Sequence, residues 1–415
     1  MVCDQTNYSR REPIRSRKNS KAHRVLTSLE VQKCAEERLQ KHVPFKETGQ
    51  KCTASVLWKV LLWAAARVCS VAAVCRRWQG IADETVYQAL AAQLPKRARD
   101  LEKKLNAALV HELPRGVLKR ARRVAIDYHE IPYHGKPRKH ANELCRGKPK
   151  SGTTKFHAYA TACIVEKGHR FTLAYTWVKR GEKQTVVIAR LLERVRALGL
   201  RIKHLLPDRA FFNAATMKYL QVERLRFLMP VVMRGRKPKP GRKAKGLRVF
   251  RKKPAGWYRH TMKSKGNEVT FSVCVTYKTY LHHRTHKRGK KKLIYAAWGM
   301  RGAAREVQER YRKRFGIETS YRQRREARIR TCTRDPNLRL FYVGIGLLLR
   351  NVWVLLHAML FAQGSDIHPE PCLARLRFAD MLEWLADFIK SALEVDSAFR
   401  IDCNTGKRLT AEEAS

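Results

Sequence analysis

Apolar and polar positions along the chain change period several times, and each change marks a predicted element. Residues 1–50 show no sustained apolar pattern and are rich in Arg, Lys, Ser and Gln, which predicts a flexible basic arm with some helix over 28–41. From 53 to 94, Leu, Val, Ala and Trp recur at steps of three and four, the spacing of a buried helical face. Within that stretch SVAAVCRRWQGIADETVYQALAAQL reads as a helix, a turn at Gln79, Gly80 and Ile81, and a second helix. Asp83 or a neighbour would cap the second helix, and Thr85, Tyr87 and Gln88 would face outward. The pattern fits a helix-turn-helix and an ordinary helical hairpin equally well.

The period then shortens. RRVAIDYHEIPY, FHAYATACIV and RFTLAYTWVK are apolar runs of strand type, the last two separated by the turn-like EKGH. TVVIARLLERVRALG returns to helical spacing and stops at Gly199, and IKHLLPD, NAATMKYLQVER and FLMPVVM follow as strand, helix and strand. The predicted order is β-β-β-α-β-α-β. Three antiparallel strands followed by alternating elements is the layout of a ribonuclease-H-like α/β core, a mixed sheet flanked by helices. RGRKPKPGRKAKG then reads as a basic loop, and WYRHTMK, EVTFSVCVTYK and KKLIYAAWGM as the strands of a β-rich insertion over 232–300. After Met300 the pattern is helical again and ends in an amphipathic pair near 374–395. The predicted division is a basic arm (1–50), a helical DNA-binding region (51–119), the first part of the core (120–231), the insertion (232–300), helices that complete the core (301–362) and a C-terminal helical region (363–415).

Charge narrows the class of partner. The chain carries 88 Lys and Arg against 35 Asp and Glu, a formal net charge of +53, while 44% of its residues are apolar. A core is therefore affordable, and a polyanion is required to neutralise the surface; nucleic acid meets that need by releasing its condensed counterions. The basic stretches 234–245 and 282–292 read as sequence-neutral clamps on backbone phosphates. Eleven cysteines without a CxxC pair argue against a disulfide scaffold and a zinc ribbon, and fit a reducing cytoplasm. Residues 1–24 are polar and basic, unlike a signal segment. The run 341–361 is long enough to span a bilayer, but Arg350, Asn351 and His357 interrupt it, so a buried core helix and no membrane association is the expectation.

Three acids stand out against this background. Asp127 lies inside an apolar strand, where an unpaired carboxylate is costly to bury. Asp208 follows Leu205, Leu206 and Pro207 at the carboxyl end of the fourth predicted strand, where functional residues of open α/β sheets gather. The layout makes these two strands neighbours, and two adjacent carboxylates call for a cation between them. Glu318 shares a helical face with Tyr311, Arg314, Tyr321, Arg322 and Arg325, which is no core stripe. Each acid has a plainer reading: a turn residue for Asp127, an N-cap for Asp208, a solvated charged face for Glu318.

Taken together, IDYHEIPYHG, LPDRAFFN and YRKRFGIETSYRQRR resemble the DDE transposases of the IS4-like insertion-sequence group over about residues 120–360. The last stretch fits that family's Tyr-x2-Arg-x3-Glu-x6-Lys signature at Tyr311, Arg314, Glu318 and Arg325, with Arg in place of the final Lys. The long interval from Asp208 to Glu318 has room for the family's β-strand insertion. The resemblance implies that Asp127, Asp208 and Glu318 hold two Mg²⁺ ions, with Mn²⁺ as a substitute, and that one site first hydrolyses an element end and then joins its 3′-OH to target DNA. It implies phosphate binding by Tyr311, Arg314 and Arg325, with Arg322 beside them, and a flipped base held by an aromatic of the insertion, for which Trp298 and Trp257 are the candidates, although each reads more readily as a buried strand residue. It also implies double-stranded DNA as partner, a homodimer on the paired ends, and a cytoplasmic, nucleoid-associated location. Three rivals remain at this level: a ribonuclease-H-like endonuclease that does not join, an inactive DNA-binding transposase derivative, and a basic RNA-binding protein.

Overall fold

The computed structural model describes residues 25–166, 169–233, 242–264, 266–281, 288–300, 302–314, 326–361 and 376–395, with two short strands at 400–401 and 408–409. Helices open the chain: α1 (Ser28–His42), α2 (Ala54–Ala66), α3 (Val71–Trp78), α4 (Asp83–Gln93), α5 (Ala98–Val110) and the short α6 (Arg115–Lys119). Helix α1 starts where Thr27 and Glu30 form a capping box, each bonding the other's backbone N–H. Helices α3 and α4 meet at a tight turn in which Gln79 takes a left-handed backbone, φ 65°. The cap expected from Asp83 is not made. Ala82 is the N-cap, and Asp83 and Glu84 occupy the first turn, where their charge suits the helix dipole. Thr85 and Gln88 are exposed and Tyr87 is half-buried.

The sheet begins with β1 (Arg122–Pro132), β2 (Cys145–Lys150), β3 (Thr153–Ile164) and β4 (Thr172–Val178). Helix α7 (Gln184–Ala197), strand β5 (Ile202–Pro207), helix α8 (Ala214–Val222) and strand β6 (Phe227–Pro230) follow. Gly199, at φ +69°, supplies the left-handed residue that stops α7. The expected element order holds with one addition, β2. Its sequence, CRGKPK, lacks apolar alternation because it pairs with the start of β3 at the exposed edge. The insertion supplies β7 (Gly256–Ser264), β8 (Asn267–Leu281) and β9 (Arg288–Trp298), which do not form a separate sheet. They extend the core sheet, whose order is β2-β3-β1-β5-β6-β9-β8-β7, with β4 also paired to β3. β1, β5 and β6 run parallel, while β3 and β9 are antiparallel to their core neighbours.

Helix α9 (Ala304–Arg312) lies against the insertion side, α10 (Pro336–Phe361) runs through the core, and α11 (Phe378–Ala392) packs on α2 and α1. Of the amphipathic pair expected near 374–395, α11 is one member; residues 362–375 lie outside those described. Helix α10 is apolar and long enough to cross a membrane, yet its window is buried throughout within the protein. Its polar residues explain why it is a core helix. Arg350 donates to the Arg170 carbonyl, His357 bonds the Leu376 carbonyl, and Asn351 binds both backbone groups of Thr172.

Those bonds belong to a wider device. β4 is an edge strand, and its outward N–H and C=O groups are paired by side chains. Asn106 of α5 exchanges two hydrogen bonds with Tyr175, Glu102 accepts from the Trp177 N–H, and Asn351 exchanges two with Thr172. Arg190 and Arg194 of α7 donate to the Trp177 and Tyr175 carbonyls. Amide side chains thus stand in for a missing strand, and the helical N-terminal region is bonded to the sheet.

Candidate active site

The site grows out of the β1–β5 pairing. These strands are parallel with Ile126 opposite Pro207, and the Asp208 N–H donates to the Ile126 carbonyl over 3.0 Å. That bond sets Asp208 beside Asp127 at the point where β5 ends. Pleating does the rest. Ala125 faces the smaller apolar cluster formed with Leu206, Tyr295, Val307 and Tyr311, so Asp127, two residues on, faces the same side. Both acids therefore look toward α9.

Asp127 is 8% exposed, and its Oδ1 accepts from the Tyr128 N–H over 2.9 Å. Arg314, two residues beyond the end of α9, reaches both acids through one nitrogen. Its Nη2 lies 2.9 Å from Asp127 Oδ1 and 3.3 Å from Asp208 Oδ1. The arginine is buried, as expected of a cation engaged by two carboxylates. Asp208 does not cap the turn that follows it; no capping bond is made by its side chain. The N-cap reading of Asp208 gives way to an ion pair.

Tyr311 braces the arrangement. Its hydroxyl donates to the Pro207 carbonyl over 3.3 Å, its ring packs on Tyr295 with centroids 5.1 Å apart, and the Arg314 guanidinium carbon lies 5.8 Å from its centroid. Burial pushes its phenol well above the usual tyrosine range, so it stays neutral. The hydroxyl expected to meet phosphate thus points at the strand that carries Asp208. Arg314, expected to meet phosphate, is paired with the acids. Tyr295 is a supporting residue that the linear sequence does not flag, because it lies on β9 and meets Tyr311 only through the fold.

The remaining expected residues divide. Trp257 packs on the acid-bearing face, and its indole donates to the Gly302 carbonyl over 2.7 Å. Trp298 packs on the large core on the opposite face, which places it away from the carboxylates. Glu318, Arg322 and Arg325 lie outside the described residues, as does most of the loop at 234–245 and half of the cluster at 282–292. Among the described residues, two acids meet at this point and no group of three potential metal ligands forms.

The family model of the transposase DDE domain matches residues 119–351, from just before β1 into α10. The chain belongs to the DDE transposase family. The match encloses Asp127, Asp208 and the position of Glu318, and it makes the protein a transposase, an enzyme of the nuclease and transposase class. Among curated proteins, none matches the chain. The mixed sheet flanked by helices is compatible with a DDE transposase fold.

Proposed function

We propose that the protein is a transposase of the IS4-like group that cleaves element ends and joins their 3′-OH to target DNA. Asp127, Asp208 and Glu318 are its catalytic acids. The observation that carries the reading is the convergence of Asp127 and Asp208 on one buried cationic nitrogen. Paired carboxylate oxygens that already share a positive charge are the donor set that suits Mg²⁺, with Mn²⁺ as substitute. When bound, such an ion polarises phosphoryl oxygens and lowers the pKa of water. The chain's own residues do the positioning. The bond from the Asp208 N–H to the Ile126 carbonyl fixes the spacing of the acids, and the Tyr311 hydroxyl braces the end of β5. Arg314, Arg322 and Arg325 would bind the phosphates of the cut end.

The core order β4-β3-β1-β5-β6 supports a ribonuclease-H-like reading. Double-stranded DNA is the proposed partner, bound by a homodimer in a nucleoid-associated, cytoplasmic setting. The region 51–119 is proposed to bind DNA, and Trp257, on the acid-bearing face, is preferred over Trp298 for a displaced base. The test is a cleavage and joining assay with DNA carrying the gene's flanking ends, a supercoiled target and Mg²⁺. Joined products that require metal and vanish in Asp127→Ala support the reading. Nicking without joining would point to an endonuclease, and binding without cutting to a DNA-binding derivative.

A further inference from the structure

Arg314 sits in an unusual place for a residue expected to greet DNA. Its side chain is 6% exposed, and one nitrogen serves both Asp127 and Asp208. Guanidinium keeps its charge at any pH at which a protein stays folded. Two carboxylates so close repel each other, and positive charge between them relieves that repulsion. Burial and double pairing both describe a counter-cation turned inward. The oxygens that Arg314 engages, Oδ1 of each acid, are also oxygens that a divalent ion would claim.

We infer that Arg314 is a placeholder cation, a positioning residue that fills the site before metal, yields the carboxylates as metal enters, and is released toward a DNA phosphate. This rests on the metal reading given above. The surroundings suit a side chain that moves about a fixed base. The Arg314 backbone N–H is held by the Tyr311 carbonyl over 2.9 Å, and Tyr311 itself is pinned to Pro207. Two consequences follow. Without metal the acids stay ordered instead of splaying apart. With metal, a cation becomes available to the substrate, so metal and DNA each strengthen binding of the other.

The experiment is a Mn²⁺ titration of the full chain without DNA, followed by electron paramagnetic resonance, for wild type, Arg314→Gln and Asp127→Asn. Removing a competing charge-assisted hydrogen bond should tighten Mn²⁺ binding in Arg314→Gln by about ten-fold or more, while Asp127→Asn weakens it. Binding by Arg314→Gln that is unchanged or weaker overturns the inference, even when Asp127→Asn shows that metal binds there. Unchanged binding by Asp127→Asn sinks the metal reading and the inference with it. A second measurement uses wild type alone. Phenylglyoxal labelling of Arg314, read by peptide mass, should run faster with Mn²⁺ than with chelator; equal rates overturn the displacement.

Discussion

Replacing Asp127 with Asn separates charge from shape. The amide has nearly the volume of the carboxylate, and its oxygen can keep the bond from the Tyr128 N–H. One negative charge is lost. A unit charge acting on another about 4 Å away is worth about 4 kcal/mol at an effective dielectric of about 20. If that charge acts in the transition state, its loss slows cleavage about a thousand-fold. The same geometry bounds the cost to folding. Both acids reach one nitrogen, so their Oδ1 atoms lie within about 6 Å and repel by about 3 kcal/mol. The Arg314 attraction over 2.9 Å is about 6 kcal/mol on the same scale, so relief of repulsion offsets about half of its loss. The net, about 3 kcal/mol, is an upper figure because the amide oxygen still accepts a hydrogen bond. The variant should therefore fold and fail to cut. Nicking of end-bearing DNA in Mg²⁺, alongside a urea unfolding curve, measures both. A folded variant that cuts within about ten-fold of wild type would refute the catalytic role.

Three further outcomes are expected. Asn106→Ala strands the Tyr175 N–H at the sheet edge, while the Tyr175 carbonyl keeps its bond from Arg194, and should lower stability by about 1–3 kcal/mol in urea unfolding; no change would mean that the edge is covered in another way. His157 is buried against Tyr133, and burial, with Arg339 nearby, pulls its imidazole down to about 3, so it folds neutral. Its folded pKa is depressed, so the unfolded chain takes up the proton first and stability falls as pH drops from about 6.5 toward 3. Between pH 7.5 and 5 this residue accounts for about 2 kcal/mol, which His157→Phe should abolish when urea midpoints at the two pH values are compared. Finally, β8 and β9 run on past β7 as a two-stranded ribbon carrying Lys278, Arg288, Lys290, Lys291 and Lys292. Changing Lys290 and Lys291 to Gln should weaken binding to any duplex and lower the slope of log affinity against log salt by about 1 per lysine. A loss confined to one DNA sequence would contradict a phosphate clamp.

The sequence by itself determined most of the elements and singled out the candidate acids. Period two against period three to four marked β1, β3 to β9 and the helices around them, because pleat and helix each impose their own spacing on buried side chains. Arg350, Asn351 and His357 marked α10 as a core helix, since polar groups within an apolar run need partners that lipid does not offer. Asp127 could be singled out because a carboxylate inside an apolar strand demands compensation. Strand β2 was not legible, having no buried face to write a pattern. What only the tertiary structure decided is which groups meet. Nothing local tells that the insertion would continue the core sheet, that Trp257 and Trp298 would take opposite faces, or that Tyr295 would back Tyr311. Nor does a helical face rich in Arg say whether a guanidinium turns out to phosphate or in to a pair of acids. Arg314 turns inward because β1 and β5, far apart in sequence, bring two like charges together, and the energy of that encounter exists only once the chain has folded.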